Sequence, residues 1–450
     1  MVKKKNYWIF AAFLLFFVPC LSSCGSGSSH HDDTATAQEP AFFAVTSDTH
    51  IYDAALGTSG DAYVIAQKTD RTLMGESSAI FVQMSELLIH SSPRPQFLLI
   101  PGDLTRDGEL NSHLLMVEHL HALEAAGIEV FVVPGNHDIE NPDASGYTQA
   151  GREPVESISA SDFAVMYAPF GYRQAIARDP HSLSYVAEPV PGYWLFGIDS
   201  CRYAENDTYP IVSGKINENT LEWLKEHLAL ARENGKQVLA MMHHSLNEHA
   251  IGLGEYLPEF MLGDWQNVGQ QLADEGLNLV FTGHFHAQKT TRRDLPRGGF
   301  IVDVQTGSPS AWPNPYRMVT LDAVSHEMAI ETRYIESLPA FDHLENPADF
   351  EQFSRVFSNA SIDAIFAQVG TAMFGLTVQQ IEQFAPLLRE AVNAFFYGDQ
   401  RMSISTLATI AKLTSSGDMG EVAMGAVLFT LWQDLPPQDN NLTQILEPLP

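Results

Sequence analysis

Short apolar runs alternate with amphipathic stretches between residues 40 and 335. Runs rich in Val, Ile, Leu and Phe are typical of buried β-strands. They cover residues 41–47, 97–101, 129–134, 193–199, 237–242, 278–281 and 299–304. Stretches with apolar residues every three or four positions predict helices. They cover residues 78–90, 111–126, 219–233 and 265–273. The alternation of strands and helices predicts an α/β domain over residues 40–335.

The composition of the chain changes after residue 335, where Ala, Phe, Gln and Leu dominate and basic residues become scarce. Helical spacing recurs at residues 349–369, 377–396 and 400–413. Residues 336–450 are therefore predicted to form a small helical C-terminal domain. Within the first domain, residues 51–76 and 139–192 are predicted to be long loops that either shape a substrate pocket or act only as spacers.

Short blocks of polar residues follow five of the predicted strands. The blocks are Asp48-Thr49-His50, Gly102-Asp103, Gly135-Asn136-His137-Asp138, His243-His244 and Gly283-His284-Phe285-His286. Ligands at the C-terminal ends of buried strands converge on one edge of a sheet, so we expect these blocks to meet. Carboxylates, imidazoles and one carboxamide together suit a pair of divalent metal ions better than a single structural zinc. The sequence therefore predicts a two-metal site.

The spacing within two blocks suggests how each supplies a pair of ligands. Asp48 and His50 lie two residues apart. In an extended segment this spacing aims both side chains at the same side. The same argument applies to His284 and His286.

Three further side chains have distinct predicted roles. Asp103 follows Gly102, whose missing side chain permits close backbone approach, and a carboxylate there can bridge two cations about 3.5–4 Å apart. Asn136 offers a neutral amide oxygen as a ligand. Extended geometry aims His137 away from Asn136, so His137 is predicted to be a general acid that reaches the leaving group.

Taken in order, the blocks resemble those of the calcineurin-like metallophosphoesterase superfamily, over about residues 42–335. The resemblance implies a β-sandwich flanked by helices, layered α/β/β/α, with two divalent metal ions that are Fe, Mn or Zn. It implies one metal held by Asp48, His50, Asp103 and His286. It implies a second metal held by Asp103, Asn136, His243 and His284. Hydrolysis would use a metal-bridged hydroxide, with His137 as the acid.

The residues in and after two of these blocks leave alternatives open. Family members often have His-x-Pro where this chain has His243-His244-Ser, which favours His243 over His244 as the ligand. Protein phosphatases of the superfamily place an Asp three residues after the bridging Asp, where this chain has Arg106. That departure argues against a protein phosphatase. Asp107 either pairs with His137 or caps the following helix, and Arg106 is expected to be a solvated loop residue.

Three stretches refine the resemblance toward one branch of the superfamily. Residues 182–185, 198–200 and 220–224 resemble the bacterial branch that includes class III cyclic-nucleotide phosphodiesterases. This resemblance implies a phosphodiesterase that acts on nucleotides or small phosphodiesters. The alternatives are a phosphomonoesterase of the same fold, or a non-catalytic surface lipoprotein that binds metal.

The formal net charge of −30 bears on the kind of partner. A protein that binds long nucleic acids normally carries a basic face, so such a partner is not expected. A small phosphoester substrate remains compatible with this charge if metal ions attract it locally. The sequence does not indicate an oligomeric state.

Residues 1–23 have the basic segment and short apolar core of an export signal. The core is shorter than the roughly 20 residues that span a membrane. The sequence Leu-Ser-Ser-Cys-Gly that ends it resembles a bacterial lipobox, which implies lipid attachment at Cys24, with Cys20 as the weaker candidate. Residues 24–39 are predicted to be a flexible tether. We therefore expect export to the bacterial cell envelope and attachment to a membrane only through the lipid.

Overall fold

A computed structural model describes residues 39–339 and 349–446 of the chain. The predicted signal peptide, the lipidation candidate Cys24 and nearly all of the predicted tether lie outside the described residues. Within the described residues, no helix is both long and apolar enough to cross a membrane.

The first of two large sheets has six strands, three of which precede ligand blocks. In spatial order they are β15 (Asn441–Ile445), β14 (Glu327–Tyr334), β13 (Pro315–Asp322), β1 (Ala41–Val45), β2 (Phe97–Pro101) and β3 (Glu129–Val133). Strands β1, β2 and β3 run parallel, whereas β13 is antiparallel to β1. Every residue of β2 is buried, as expected for a parallel strand covered on both faces.

The second sheet has seven strands and carries the remaining ligand blocks. In spatial order they are β11 (Lys289–Asp294), β12 (Phe300–Gln305), β10 (Leu279–Thr282), β9 (Gln237–Met242), β8 (Tyr193–Ile198), β7 (Tyr185–Val190) and β6 (Ala177–Arg178). The four strands β8, β9, β10 and β12 run parallel, and antiparallel strands close both edges.

Aromatic side chains join the two sheets face to face. The ring of Phe43 on β1 stacks on Phe97 of β2 at a centroid distance of 4.6 Å. It also meets Phe281 of β10 edge-on at 5.5 Å. The hydroxyl of Tyr193 on β8 donates a hydrogen bond to the main-chain oxygen of Leu321 on β13 (2.7 Å). Burial of this apolar surface between the sheets drives their packing.

Helices cover the outer faces of both sheets. In chain order, the helices before the C-terminal region are α1 (Asp61–Lys68), α2 (Ser77–Ile89), α3 (Leu110–Ala125), α4 (Ala160–Met166), α5 (Glu218–Glu233), α6 (Leu253–Tyr256) and α7 (Trp265–Asp274). Helix α2 buries Ile80, Met84 and Leu88, four residues apart, in the cluster that contains β1, β2 and β3. Helices α5 and α7 bury their apolar faces with β8, β9 and β10 in a second cluster. The predicted α/β/β/α layering is confirmed.

The two predicted long loops contain secondary structure, and that prediction was wrong in part. Residues 51–76 include α1. Residues 139–192 include α4, β6, β7 and a hairpin of β4 (Ser145–Thr148) with β5 (Gly151–Pro154). Helix α1 buries none of its residues, and β4 and β5 contain few apolar residues. These elements therefore lack the apolar periodicity by which they could have been predicted.

The C-terminal residues form helices and then return to the first sheet. The helices are α8 (Phe350–Phe374), α9 (Val378–Tyr397), α10 (Ile404–Thr414) and α11 (Met419–Leu431). They share a hydrophobic cluster that includes Phe366, Phe384 and Leu428. Strand β15 then pairs with β14, so the region is not purely helical as predicted. The domain boundary at residue 335 stays a prediction.

Candidate metal centre

The ligand blocks from both sheets lie at one edge of the sandwich. In the first sheet, β1 leads to Asp48 and His50, and β2 leads directly to Gly102 and Asp103. In the second sheet, β9 ends next to His243, and β10 ends just before the His284–His286 turn. All of the candidate ligands except His286 are buried.

The first cluster contains two carboxylates and two imidazoles. Its members are Asp48, His50, Asp103 and His286, each with a ligand atom within 4.8 Å of the others. Nε2 of His286 lies 3.4 Å from Oδ1 of Asp48, and Nε2 of His50 lies 3.8 Å from Oδ2 of Asp103. The Nε2 atoms of His50 and His286 are only 3.0 Å apart.

The second cluster shares Asp103 with the first. Ligand atoms of Asp103, His243 and His284 lie within 4.8 Å of one another. Nε2 of His243 is 3.2 Å from Oδ2 of Asp103 and 3.0 Å from Oδ1 of Asn136. A carboxylate common to both clusters is the arrangement needed to bridge two cations.

The protonation and hydrogen-bond partners of the candidate ligand atoms indicate whether metal ions fit the site. Burial lowers the pKa of His50 and of His284 well below the ordinary value, so both rings are neutral and can offer lone pairs. Nε2 of His50 faces another imidazole nitrogen, and its buried Nδ1 has no hydrogen-bond partner. Nε2 of His243 faces two acceptor oxygens. A buried set of imidazole nitrogens, carboxylate oxygens and one amide oxygen that approach one another this closely fits divalent cations between them.

Asp103 and His243 are oppositely charged neighbours in the absence of a cation. Burial alone would raise the pKa of Asp103, but His243 and His137 hold it well below its usual range. Burial alone would lower the pKa of His243, but Asp103 raises it to about 9. Metal binding at His243 would therefore release a proton.

Main-chain carbonyls orient two of the candidate ligands. Nδ1 of His243 lies 2.9 Å from the oxygen of Pro101, and Nε2 of His284 lies 3.2 Å from the oxygen of Glu259. A ring nitrogen that faces a carbonyl carries the hydrogen, so the opposite nitrogen of each ring is left as the ligand atom.

The backbone at the ligands is left-handed, and the prediction of extended geometry was wrong. Positive φ angles occur at Asp48 (55°), His50 (45°), Asp103 (50°), His284 (76°) and His286 (56°). Non-glycine residues adopt this conformation at a cost of about 1–3 kcal/mol and cluster at functional sites. The paired ligands are therefore brought together by turns beyond the strands, and His284 and His286 enter different clusters.

Gly102 permits the close approach that its position suggested. Its φ is 92°, and a Cβ there would lie 2.6 Å from Nδ1 of His243. Any side chain at this position would therefore displace a candidate ligand.

His137 lies beside the shared carboxylate. Its main-chain N–H donates to Oδ1 of Asp103 (3.0 Å), and its Nδ1 lies 2.9 Å from Oδ1 of Asp107. Burial alone would lower the pKa of His137, but the Asp103 and Asp107 carboxylates raise it to about 10. Of the two roles left open for Asp107, the structure shows the contact with His137, whereas no side-chain cap is made at the N-terminus of α3.

Arg106 is not the solvated loop residue expected from the sequence. Its side chain is 12% exposed. The guanidinium hydrogen bonds to the carboxylate of Asp70, and its Nε lies 3.6 Å from Oδ2 of Asp107. Sequence reasoning missed Asp70 because it lies in a segment that was interpreted only as a loop.

His244 belongs to neither cluster, because both of its ring nitrogens have other partners. Its Nε2 donates to the oxygen of Val212 (2.8 Å), and Nδ1 lies 2.8 Å from Oγ of Ser200. Burial lowers its pKa to about 3. Of the two adjacent histidines, His243 is the one that faces Asp103.

Asp138 is a second residue without a predicted role. Its buried carboxylate accepts hydrogen bonds from the main-chain N–H groups of Leu104 (3.1 Å), Thr105 (2.9 Å) and Gly135 (2.8 Å). It therefore ties the turn after Asp103 to the turn that carries Asn136. The only signal in the sequence was its place at the end of the Gly-Asn-His-Asp block.

Comparisons with known proteins agree with this geometry. A family model described as Calcineurin-like phosphoesterase matches residues 43–288, which contain every ligand block. No curated protein sequence matches the chain.

The solved structures that are similar to the chain include two phosphatases and a thiohydrolase. A dimetal phosphatase from Danio rerio is 15% identical, with a TM-score of 0.46 over 66% of this chain and 97% of that one. Purple acid phosphatase PPD1 from yellow lupin (Lupinus luteus) is 14% identical, with a TM-score of 0.40 over 66% of this chain and 52% of that one. The sulfate thiohydrolase SoxB from Termus thermophilus is 13% identical, with a TM-score of 0.34 over 74% of this chain and 61% of that one.

Proposed function

Since the chain belongs to the calcineurin-like phosphoesterase family and is a metal-dependent phosphoester hydrolase, we propose that it is a phosphodiesterase for nucleotides or small phosphodiesters. The observation that carries the proposal is the pair of ligand clusters that share Asp103, with His137 hydrogen bonded to that same carboxylate. The proposed site thus combines two cation positions with one proton donor.

Each cluster would hold one divalent ion. The first ion would be bound by Asp48, His50, Asp103 and His286. The second would be bound by Asp103, Asn136, His243 and His284. When bound, two such ions supply a nucleophile from water at neutral pH and neutralise phosphate oxygens. Nitrogen and oxygen donors of this kind accept Fe, Mn or Zn.

His137 would supply the proton that the leaving group needs. The carboxylates of Asp103 and Asp107 keep its ring protonated at neutral pH. Nδ1 is occupied by Asp107 and by the main-chain oxygen of Arg106 (2.8 Å). Nε2 is thus the position from which a proton can pass to substrate. Asp107 would orient the ring and stabilise its charge.

The charges around His137 favour a diester over a monoester. A phosphomonoester carries close to two negative charges at neutral pH, whereas a phosphodiester carries one. Arg106 is the guanidinium next to Asp107, but Asp70 and Asp107 already balance its charge. Apart from the protonated ring of His137, a second phosphate charge would therefore find no unpaired guanidinium at this position.

A comparison of two chromogenic substrates tests the proposal. Protein reconstituted with Mn²⁺ should hydrolyse bis-p-nitrophenyl phosphate with a higher kcat/KM than p-nitrophenyl phosphate. A clear preference for the monoester would replace the diesterase by a phosphomonoesterase of the same fold. Hydrolysis of neither substrate, together with absence of stoichiometric metal, would favour the non-catalytic surface protein.

We also propose that the enzyme is held at the bacterial cell envelope by lipid on Cys24. The support is the lipobox-like sequence that surrounds this cysteine. A Cys24→Ser variant should move from the membrane fraction to the soluble fraction, whereas Cys20→Ser should not. Retention of Cys24→Ser in the membrane fraction would contradict lipid attachment at this residue.

A further inference from the structure

The residue between the two histidines of the Gly283–His286 turn is packed against the C-terminal region. The ring of Phe285 lies parallel to that of Phe396, with centroids 6.0 Å apart, and meets Phe395 edge-on at 5.9 Å. Both partners lie in the last turn of α9. On its other side Phe285 meets Phe260 edge-on at 4.8 Å. Aromatic contacts from α9 therefore fix the centre of the ligand turn.

The backbone after this turn also contacts the end of α9. The main-chain N–H of Gln288 donates to the oxygen of Phe396 (3.1 Å). Gly398 follows with a φ of 85°, and a Cβ there would lie 2.5 Å from the oxygen of Gln288. The two segments approach so closely that only glycine fits at this position.

Lys289, three residues after His286, is enclosed by C-terminal side chains. Its Nζ lies 2.5 Å from Oε1 of Gln400, 3.0 Å from Oδ1 of Asp434 and 2.8 Å from Oδ2 of Asp439. The lysine side chain is 1% exposed. A buried ammonium whose three donors are all satisfied holds its neighbours in one arrangement, because loss of any partner leaves a buried donor unsatisfied.

The two histidines of the turn differ in what holds them. Asp48 accepts the main-chain N–H of His284 with both carboxylate oxygens (2.9 and 3.0 Å), and the side-chain amide of Gln305 donates to the oxygen of Gly283 (2.8 Å). The sandwich itself thus fixes His284. His286 keeps a left-handed backbone between Phe285 and the segment that α9 contacts.

We propose that the C-terminal region, residues 395–400 and 434–439, positions His286 and thereby sets metal retention at the Asp48–His50–Asp103–His286 cluster. The inference rests on the two-metal centre of the proposed function. These residues lie outside residues 43–288, which the family match covers. The region acts as a positioning element for one of two metal sites, and the site that contains His243 and His284 depends on it less.

Metal titration of four variants tests this inference. Phe396→Ala removes the stacked ring, and Lys289→Met removes the buried ammonium while keeping most of the side-chain volume. Phe396→Tyr keeps the ring and serves as the conservative variant. Arg389→Met removes the 3.3 Å ion pair to Asp363 between α8 and α9, without touching residues 283–289, and is the matched control. Far-UV circular dichroism establishes that each protein is folded.

Mn²⁺ bound per chain is measured by elemental analysis after dialysis at increasing Mn²⁺ concentration. We expect Phe396→Ala and Lys289→Met to bind one of the two Mn²⁺ equivalents only at a Mn²⁺ concentration about tenfold or more above that of the wild type. This is the loss of affinity seen when a residue that supports a metal ligand is removed. The other equivalent should bind as in the wild type. Phe396→Tyr and Arg389→Met should retain both equivalents.

Two different results would overturn the inference. If folded Phe396→Ala binds both Mn²⁺ equivalents at the wild-type concentration, the positioning role is rejected while the two-metal centre stands. Phe396→Ala also decides the question if Lys289→Met does not fold. Wild-type protein that never binds two equivalents rejects the two-metal centre and the inference with it.

Discussion

Oδ1 of Asp107 lies 2.9 Å from Nδ1 of His137, although 30 positions separate the two residues. The shared carboxylate of Asp103 accepts the main-chain N–H of the same histidine. One imidazole thus joins the candidate metal bridge to a second carboxylate. This arrangement makes separable predictions for the three residues.

His137→Ala should retain both metal ions and lose most turnover. The ring belongs to neither ligand cluster, so its removal leaves the cation positions in place. Loss of a general acid reduces kcat by about 10²–10⁴-fold. Elemental analysis and steady-state kinetics with bis-p-nitrophenyl phosphate measure the two effects. Turnover close to that of the wild type would reject the acid role.

Asp107→Asn should shift the alkaline limb of the pH–rate profile to lower pH. The Asp103 and Asp107 carboxylates together raise the pKa of His137 to about 10. Removing one negative charge lowers that pKa, so the ring loses its proton, and the enzyme its acid, at a lower pH. The profile of kcat from pH 6 to 10 measures the shift. An unchanged alkaline limb would show that Asp107 does not act through His137.

Asp103→Ala should abolish metal binding and activity together. Its carboxylate is the one group common to both clusters, so neither cation position survives its removal. Metal content after dialysis and hydrolysis of the diester are measured on the same preparation. Asp107→Asn is the control, because it removes a neighbouring carboxylate that belongs to neither cluster. A variant that keeps two bound ions would refute the bridging role.

Asp138→Ala should destabilise the fold by about 3 kcal/mol or more, since each buried donor left without a partner costs about 1–3 kcal/mol. The lost acceptor serves the N–H groups of Leu104, Thr105 and Gly135. Urea unfolding measures the change. Glu153→Gln on the exposed strand β5 is the control and should stay within about 0.5 kcal/mol of the wild type. Equal stability of the two variants would contradict the account.

His113 should make the fold less stable as the pH falls from 6.5 to 4. Its buried ring contacts the hydroxyl of Tyr167 and the main-chain oxygen of Asp138, and burial lowers its pKa from 6.5 to about 4. In this window the unfolded chain binds a proton that the folded ring does not, so stability is lost with decreasing pH. The slope from one such group approaches about 1.4 kcal/mol per pH unit.

His113→Gln should flatten this pH dependence, because glutamine does not titrate. Urea unfolding of both proteins at several pH values between 4.5 and 7 measures the difference in slope. Parallel curves for the wild type and the variant would show that His113 does not contribute.

Local patterns were sufficient for the strands that precede the ligand blocks and for the main helices. The run from Phe97 to Pro101 is apolar throughout, and the structure buries all of it. Where burial was absent the pattern failed, as in α1, which has no buried residue. Residue chemistry also indicated which side chains suit a metal centre, because carboxylates and imidazoles after strands converge at a sheet edge.

Contacts between distant segments were outside the reach of that reasoning. Arg106 was expected in solvent, but Asp70 approaches it from a segment 36 positions away. The sequence favoured His243 over His244 only through the family resemblance, whereas the fold turns His243 toward Asp103 and His244 toward Val212.

The sequence by itself determined an α/β domain, the kinds of ligand atom and their places after five strands, and its resemblance to the family implied the α/β/β/α layering and a shared Asp103. Tertiary structure alone decided that these ligands sit in left-handed turns and that a C-terminal segment packs against Phe285. The spacing of apolar residues shows only which face of a helix or strand is buried, not which distant segment covers it. The 3.0 Å approach of His50 to His286 spans 236 positions and depends on how two sheets pack.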